Sequence, residues 1–369
     1  MNSSQSASSS NSLRSHSQFE ISDRLSGPQL LESSEESPRI RIRKKPRIAK
    51  LKFRDVPPIN SLADLILISN SFKFYKNLDT LMLWKISPIL EKIDAMIGME
   101  KLKKSLLYQI LYYLQGMHVP KKKNDDEGEF LHTLLLGKPG SGKTTIAKLI
   151  GELYKAMAVL SPDGVFKQAT RADLIGKYLG STAIKTKTLL KSCLGGVLLI
   201  DEIYSLSGGN VEKDSFSKEC IDTITAFLSE HKNNFCLIAC GYEDEVERCF
   251  LSMNPGLRRR FSWKHIIEDY STKDLCKIFF KKLGSIGWET VITEEFLEKL
   301  FRKNQNIFSD AGGSVELYLT KCKIAHSRRV FGRDSTEKYI ITEPDLIEGI
   351  SLMESTEKKD SKPPYGMYL

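Results

Sequence analysis

Eight consecutive residues, Gly137-Lys138-Pro139-Gly140-Ser141-Gly142-Lys143-Thr144, constrain this chain more than any other feature. They fit the pattern G-x-x-x-x-G-K-[ST] without a gap. Glycines let the backbone curl so that successive N–H groups point inward, forming a cradle for phosphate oxygens. The apolar run Leu131–Leu136 precedes the loop and a helical stretch, Thr144–Leu153, follows it. The cradle is therefore expected between a strand and a helix whose positive N-terminal dipole faces the phosphates. In that setting Lys143 reaches the β- and γ-phosphates and Thr144 ligates Mg²⁺. Pro139, Ser141 and Thr145 complete the expected wall around ATP.

The run Val197-Leu198-Leu199-Ile200-Asp201-Glu202 supplies a partner motif. Four apolar residues in succession suit a strand buried on both faces, as in a parallel sheet. Such a strand delivers Asp201 to the C-terminal edge of the sheet, where it holds Mg²⁺ through water. Glu202, one residue on, is placed to polarise the attacking water as general base. An acidic pair after a strand is common, but in the same sheet as the phosphate loop it points to hydrolysis of ATP.

Around these motifs, short apolar runs alternate with helical patterns: strands near Val165–Ala169, Phe235–Cys240 and His265–Ile267, helices over Ser181–Ser192 and Ser217–Ser229. This alternation predicts an α/β fold with a parallel five-stranded sheet covered by helices on both faces. After Tyr270 only helical patterns are read, which suggests a small helical lid. Ser271 or Thr272 can cap its first helix and Thr293 its second. The expected organisation is a Ser-rich and basic tail over 1–58, without fixed structure because it carries too little apolar surface to offset the entropy of ordering. A helical extension over 59–92, the α/β domain over 93–268, the lid over 269–355 and a polar tail over 356–369 follow.

Charge and cysteine usage narrow the partners. The formal net charge of +9 is matched by nine basic residues between Arg39 and Arg54 with no acidic residue among them. A uniformly basic nucleic-acid-binding surface is therefore not implied. The run itself suits a nuclear-import signal, a nucleic-acid tether, an anchor to an anionic surface or a solubilising linker. Seven cysteines, an odd number without a CxxC pair, argue against a disulfide framework and for a reducing compartment. No apolar stretch is long enough to span a membrane and no signal peptide opens the chain, so an intracellular protein, cytoplasmic or nuclear, is expected.

With both motifs placed, the chain resembles the AAA+ superfamily. Within it, the similarity is to the branch of red-type Rubisco activase (CbbX) and stage V sporulation protein K. The match is carried by Ile97-Gly98-Met99, by the phosphate loop and its helix, by the stretch from Ala169 to Leu190, by Gly195–Leu206 and by Cys240–Phe261. The flanks, Tyr75–His118 and Cys322–Phe331, resemble uncharacterised members from large DNA viruses. The resemblance implies that Ile97 and Gly98 lie against the adenine. It also implies a homo-oligomer, a ring of six, with ATP at each subunit junction and a trans-acting arginine from the neighbour. Asn254–Phe261 matches that arginine element, with Arg260 the first choice and Arg258 the second. Tyr178 and Leu179 fall where such rings carry an aromatic loop facing a central pore, whose nonspecific apolar contacts grip a polypeptide of any sequence.

Two departures stand out. Where many members end the fourth strand with a water-orienting Asn, this chain has Cys240-Gly241-Tyr242-Glu243-Asp244, leaving Tyr242 and Asp244 as candidates. Where the branch carries a lid arginine, this chain reads Asp310-Ala311-Gly312-Gly313-Ser314-Val315-Glu316. Lys321 or Lys323 is then expected to substitute, or the coupling of lid to ATP is altered. The function expected is ATP hydrolysis that drives remodelling of an unknown protein substrate through the pore of a ring. The alternatives are a nucleic-acid motor or loader tethered by Arg39–Arg54, and a scaffold whose assembly ATP gates.

Overall fold

The computed structural model describes residues 54–71, 73–119, 129–178, 180–207, 215–333 and 335–360. Residues 1–50 and 51–369 separate as two units, and every described residue belongs to the second. Of the expected tail over 1–58, residues 1–53 lie outside the described residues, and with them the basic run short of Arg54; Arg54 itself forms a parallel backbone bridge with Tyr75.

The chain enters through three helices, α1 (Leu62–Asn70), α2 (Thr80–Asp94) and α3 (Glu100–Leu114). Ser61 and Asp64 form a reciprocal cap on α1, and the Asp79 carboxylate accepts the Leu81 and Met82 amides at the start of α2. Then come β1 (Thr133–Leu136), α4 (Lys143–Ala156), β2 (Phe166–Ala169), a single turn α5 (Arg171–Leu174) and α6 (Ser181–Lys191). The α/β part closes with β3 (Val197–Ile200), α7 (Ser215–Glu230), β4 (Cys236–Gly241), the one-turn α8 (Glu243–Val246) and β5 (Trp263–Ile266).

The five strands form one parallel sheet in the order β2-β3-β4-β1-β5. Alternation along the strands divides the core between two faces. Val197 and Leu199 of β3 join α1 to α4 on one side, and Leu198 and Ile200 join α6 and α7 on the other. All four residues are fully buried, which is why this strand reads as an unbroken apolar run. Helices α1 and α2 share one apolar cluster with α3, α4 and the sheet; Leu65, Leu83, Leu106, Ile146 and Leu199 all belong to it.

A buried polar chain pins this face. His265 on β5 bonds Ser105 and Gln109 of α3 at 2.8 and 2.9 Å, and Gln109 donates to the Tyr154 hydroxyl of α4 at 2.6 Å. Burial pushes the His265 imidazole down to about 4, so it is neutral and serves structure.

The lid comprises α9 (Thr272–Ser285), β6 (Glu289–Thr290), α10 (Glu294–Lys303), α11 (Ala311–Val330), β7 (Ile340–Ile341) and α12 (Glu343–Asp360). Ser271 caps α9 and Thr293 caps α10, as their spacing predicts. The lid is not wholly helical. Strands β6 and β7 pair in parallel, although two residues each give no periodicity to read. Helix α12 runs to Asp360, five residues past the expected end of the lid at 355; residues 361–369 lie outside the described set.

Candidate functional site

β1 lies between β4 and β5, and β3 lies on the far side of β4. The segments leaving β1 and β3 therefore emerge at the same end of the sheet, with the end of β4 between them. They open on a cavity of about 710 Å³, within the usual range for a ligand site.

The loop after β1 is shaped by backbone that only glycine adopts freely. Gly140 and Gly142 sit at φ +64° and +89°, in the left-handed region. A Cβ on Gly140 would come within 2.3 Å of the Asp310 carbonyl and 2.6 Å of the Gly313 nitrogen, so the lid presses backbone to backbone on the cradle. Ser141 is 3% exposed and its hydroxyl has no hydrogen-bond partner. An orphaned hydroxyl in a curled glycine loop at a helix N-terminus fits a phosphate oxygen. Pro139 to Thr145 all line the cavity; Gly137 does not, and instead bonds the end of β4 through its amide to Gly241.

Lys143 is 7% exposed. Its ammonium donates to the Gly137 and Lys138 carbonyls at 2.9 and 2.8 Å and lies 4.8 Å from the centre of the Tyr242 ring. Burial lowers its pKa, opposed by the negative charges of Asp201 and Glu202 nearby. The Thr144 hydroxyl donates to Asp201 Oδ2 at 2.5 Å. These two oxygens converge from different elements, as the protein share of a Mg²⁺ site does when phosphate oxygens and water complete the shell. No cluster of three His, Cys, Asp or Glu that could cage a metal exists among the described residues. The donor set thus suits magnesium held with a nucleotide.

Glu202 also lines the cavity. Its backbone sits at φ +51°, in the left-handed region that non-glycine residues rarely adopt, and its amide donates to Asp201 Oδ1 at 3.1 Å. Strain of this kind, held by the surrounding structure, is typical of functional turns. Of the two candidates for orienting water, Tyr242 lines the cavity and stacks near Tyr204 with ring centres 5.2 Å apart. Asp244 is exposed on α8 and does not line it.

The structure also brings in residues that sequence reasoning missed. Tyr270 lines the cavity and donates to the Ser141 carbonyl at 3.0 Å, while Asp269 pairs with Lys138 at 2.6 Å. The segment after β5 therefore clasps the loop. From α9 come Ile278, Lys281, Lys282 and Ser285, and from α11 Gly312, Gly313 and Glu316. No local signal separates two lysines near the end of an amphipathic helix from a solvated face. Lys321 and Lys323, expected to replace the lid arginine, are absent from the cavity wall; Lys323 instead lines a separate lid cavity with Trp288 and Tyr339.

Ile97 lines the cavity as expected, and Gly98 stands behind it: at φ +66°, its Cβ would meet the Tyr270 ring at 3.1 Å. The arginine element is elsewhere. Neither Arg258 nor Arg260 lines the cavity. Arg260, the first choice from sequence, is bound to its own chain: Nε donates to the Thr225 carbonyl and Ser229 Oγ at 3.1 and 2.8 Å, and Nη1 to the Gly256 carbonyl at 2.5 Å. Arg258 forms an ion pair with Glu247 and stays largely exposed, as does Arg259. Tyr178 is 77% exposed on the turn between α5 and α6, a turn closed by the Ser181 hydroxyl donating to the Tyr178 carbonyl at 2.6 Å. Leu179 lies outside the described residues.

Residues 133–267 match the ATPase family associated with various cellular activities (AAA). A cfxQ-like protein of Acanthamoeba polyphaga mimivirus is 32% identical over 86% of this chain and 78% of its own length. Protein CbbX of Cereibacter sphaeroides is 32% identical over 67% of this chain and 80% of its own. Stage V sporulation protein K of Bacillus subtilis is 42% identical over 52% of this chain and 59% of its own. Among solved structures, the FIGL-1 AAA domain in complex with ADP aligns with a TM-score of 0.50 at 18% identity, over 72% of this chain and 88% of that one.

Proposed function

This chain belongs to the AAA family of ATPases and is an ATP hydrolase, and we propose that it works as a ring that remodels a protein substrate. The observation that carries the hydrolase part of this reading is the convergence of Lys143, Thr144, Asp201 and Glu202 on one cavity, with Thr144 and Asp201 bonded at 2.5 Å.

Each side chain then has a role. The loop amides and the Ser141 hydroxyl hold the phosphates, and the Lys143 ammonium offsets charge on the transferring group. Thr144 and Asp201 would hold Mg²⁺, which would supply charge stabilisation to the phosphoryl oxygens. Glu202 accepts the proton of the attacking water, and Tyr242, roofing Lys143, keeps bulk water from that side. Arg260 stays with α7 and sets the shape of the turn that carries Arg258 and Arg259. Those two exposed guanidinium groups are the ones free to reach a neighbouring subunit's nucleotide, Arg258 by leaving Glu247. A planar guanidinium suits that task better than an ammonium. Tyr178, exposed on its turn, contacts the translocating polypeptide.

Glu202→Gln tests the reading. Steady-state phosphate release should fall by about 10²- to 10⁴-fold, the usual worth of a general base, with ATP binding retained. Native mass measurement of this variant with ATP should show a closed ring. Unchanged turnover sinks the assignment of Glu202, and a monomer at all nucleotide concentrations sinks the ring.

A further inference from the structure

The lid meets the nucleotide cavity with two lysines of α9 and one carboxylate of α11 on its wall. The turn into α11 places Gly312 and Gly313 against Gly140, so these two positions put no side chain over the cradle. One turn further along α11 stands Glu316, a carboxylate on the wall of a cavity that must accept a polyanion. It is occupied: Lys282 of α9, also on the wall, donates to it at 2.7 Å. The pair is open to solvent, with the two side chains 36% and 70% exposed. The neighbouring Lys281 is committed differently, donating to the Ala95 carbonyl at the end of α2 at 2.9 Å, and so ties the lid to the helical entry.

We propose that Lys282 is the lid's phosphate-binding cation, held on Glu316 until nucleotide enters and then exchanged onto its phosphates. Exposed ion pairs are weak, so Glu316 can release Lys282 at little cost. A triphosphate carries several charges where Glu316 offers one, and a long flexible ammonium side chain turns readily between acceptors. Glu316 left without Lys282 then faces solvent. Lid position thus becomes coupled to the charge of the bound nucleotide through α9 rather than α11.

This inference rests on the nucleotide reading of the cavity, and the experiment separates the two. Affinities of the full-length chain for ATP and ADP are measured by displacement of a fluorescent nucleotide, for wild type and for the variants Lys143→Ala, Lys282→Ala, Lys282→Arg, Glu316→Gln and Lys323→Ala. Wild type that fails to bind ATP overturns the nucleotide reading itself. With wild-type binding in place, Lys282→Ala should weaken ATP by about tenfold, a typical worth for a charge-assisted hydrogen bond. ADP should lose less, and Lys282→Arg should restore most of the loss. Glu316→Gln should tighten ATP by about two- to threefold, because it removes the competitor of an exposed pair. That opposite sign is what a merely structural ion pair would not produce. The proposal is overturned if Lys282→Ala binds ATP as wild type does, if Glu316→Gln weakens binding alongside Lys282→Ala, or if Lys323→Ala carries the loss instead. Thermal melts of each variant without nucleotide distinguish lost binding from lost folding, and a Lys282→Ala loss explained wholly by unfolding also overturns it.

Discussion

The sheet end and the lid hold their charged groups in opposite ways. At the sheet end, the charged residues of the site come from two short segments, each following a strand, and backbone does much of the positioning: Gly140 and Gly142 with positive φ, Glu202 with positive φ, Lys143 held by two carbonyls. In the lid, a buried carboxylate knits separate elements. Asp345, 2% exposed at the start of α12, bonds Arg329 Nε and His326 Nδ1 of α11 at 2.9 and 3.0 Å, and accepts the Thr342 amide at 2.9 Å. The first arrangement leaves charge exposed to a ligand, whereas the second uses charge up internally. A ligand site must keep its polar groups available, whereas charge paired inside the lid holds its helices together as one body.

Asp345→Asn tests this contrast most severely. Burial raises the Asp345 carboxyl, but the Arg329 guanidinium, the Thr342 amide and His326 outweigh it and hold the pKa below the ordinary 3.8. Removing the charge leaves the Arg329 guanidinium with only the exposed Glu337 carboxylate and strips His326 Nδ1 of its charged partner, at an expected cost of about 3 kcal/mol in denaturant unfolding. The pH dependence has a definite sign. A carboxyl whose folded pKa is lowered stabilises fully above its unfolded value of 3.8 and loses that contribution as pH falls through the folded pKa. The gap between wild type and variant should therefore be constant near neutrality and close below about pH 4. A variant as stable as wild type at pH 7 would break the contrast.

Gly140→Ala probes the seam between the two regions. The added Cβ meets the Asp310 carbonyl at 2.3 Å and is imposed on a φ of +64°. A loss of about 1–3 kcal/mol in stability is expected from the strained backbone, with weaker ATP binding by displacement assay. An undisturbed variant would mean that the lid does not bear on the loop.

Tyr178→Ala should have the smallest effect on ATP hydrolysis. Its side chain is 77% exposed and lies outside the nucleotide cavity, so basal ATPase should stay within about twofold of wild type, as for surface substitutions generally. Stimulation by an unfolded polypeptide such as casein should be lost. Equal stimulation in both proteins would remove Tyr178 from substrate contact.

The sequence alone determined what is locally encoded. The glycine spacing of Gly137–Thr144, the unbroken apolar run before Asp201 and the alternation of runs each reflect a constraint on neighbouring residues: a backbone turn, a strand buried on both sides, a helix period. Those signals were enough to place the sheet, the cradle and the acidic pair. Even the cap at Thr342 and Asp345 has a short-range spacing that can be read. Only the tertiary structure decided which side chains meet across long separations. It put Arg260 on Thr225 and Ser229, which leaves Arg258 and Arg259 at the surface, and it seated Lys282 opposite Glu316 on the cavity wall while Lys321 and Lys323 stay off it. A lysine on an amphipathic helix reads the same whether it faces solvent or a nucleotide. The difference lies in what the fold sets opposite it.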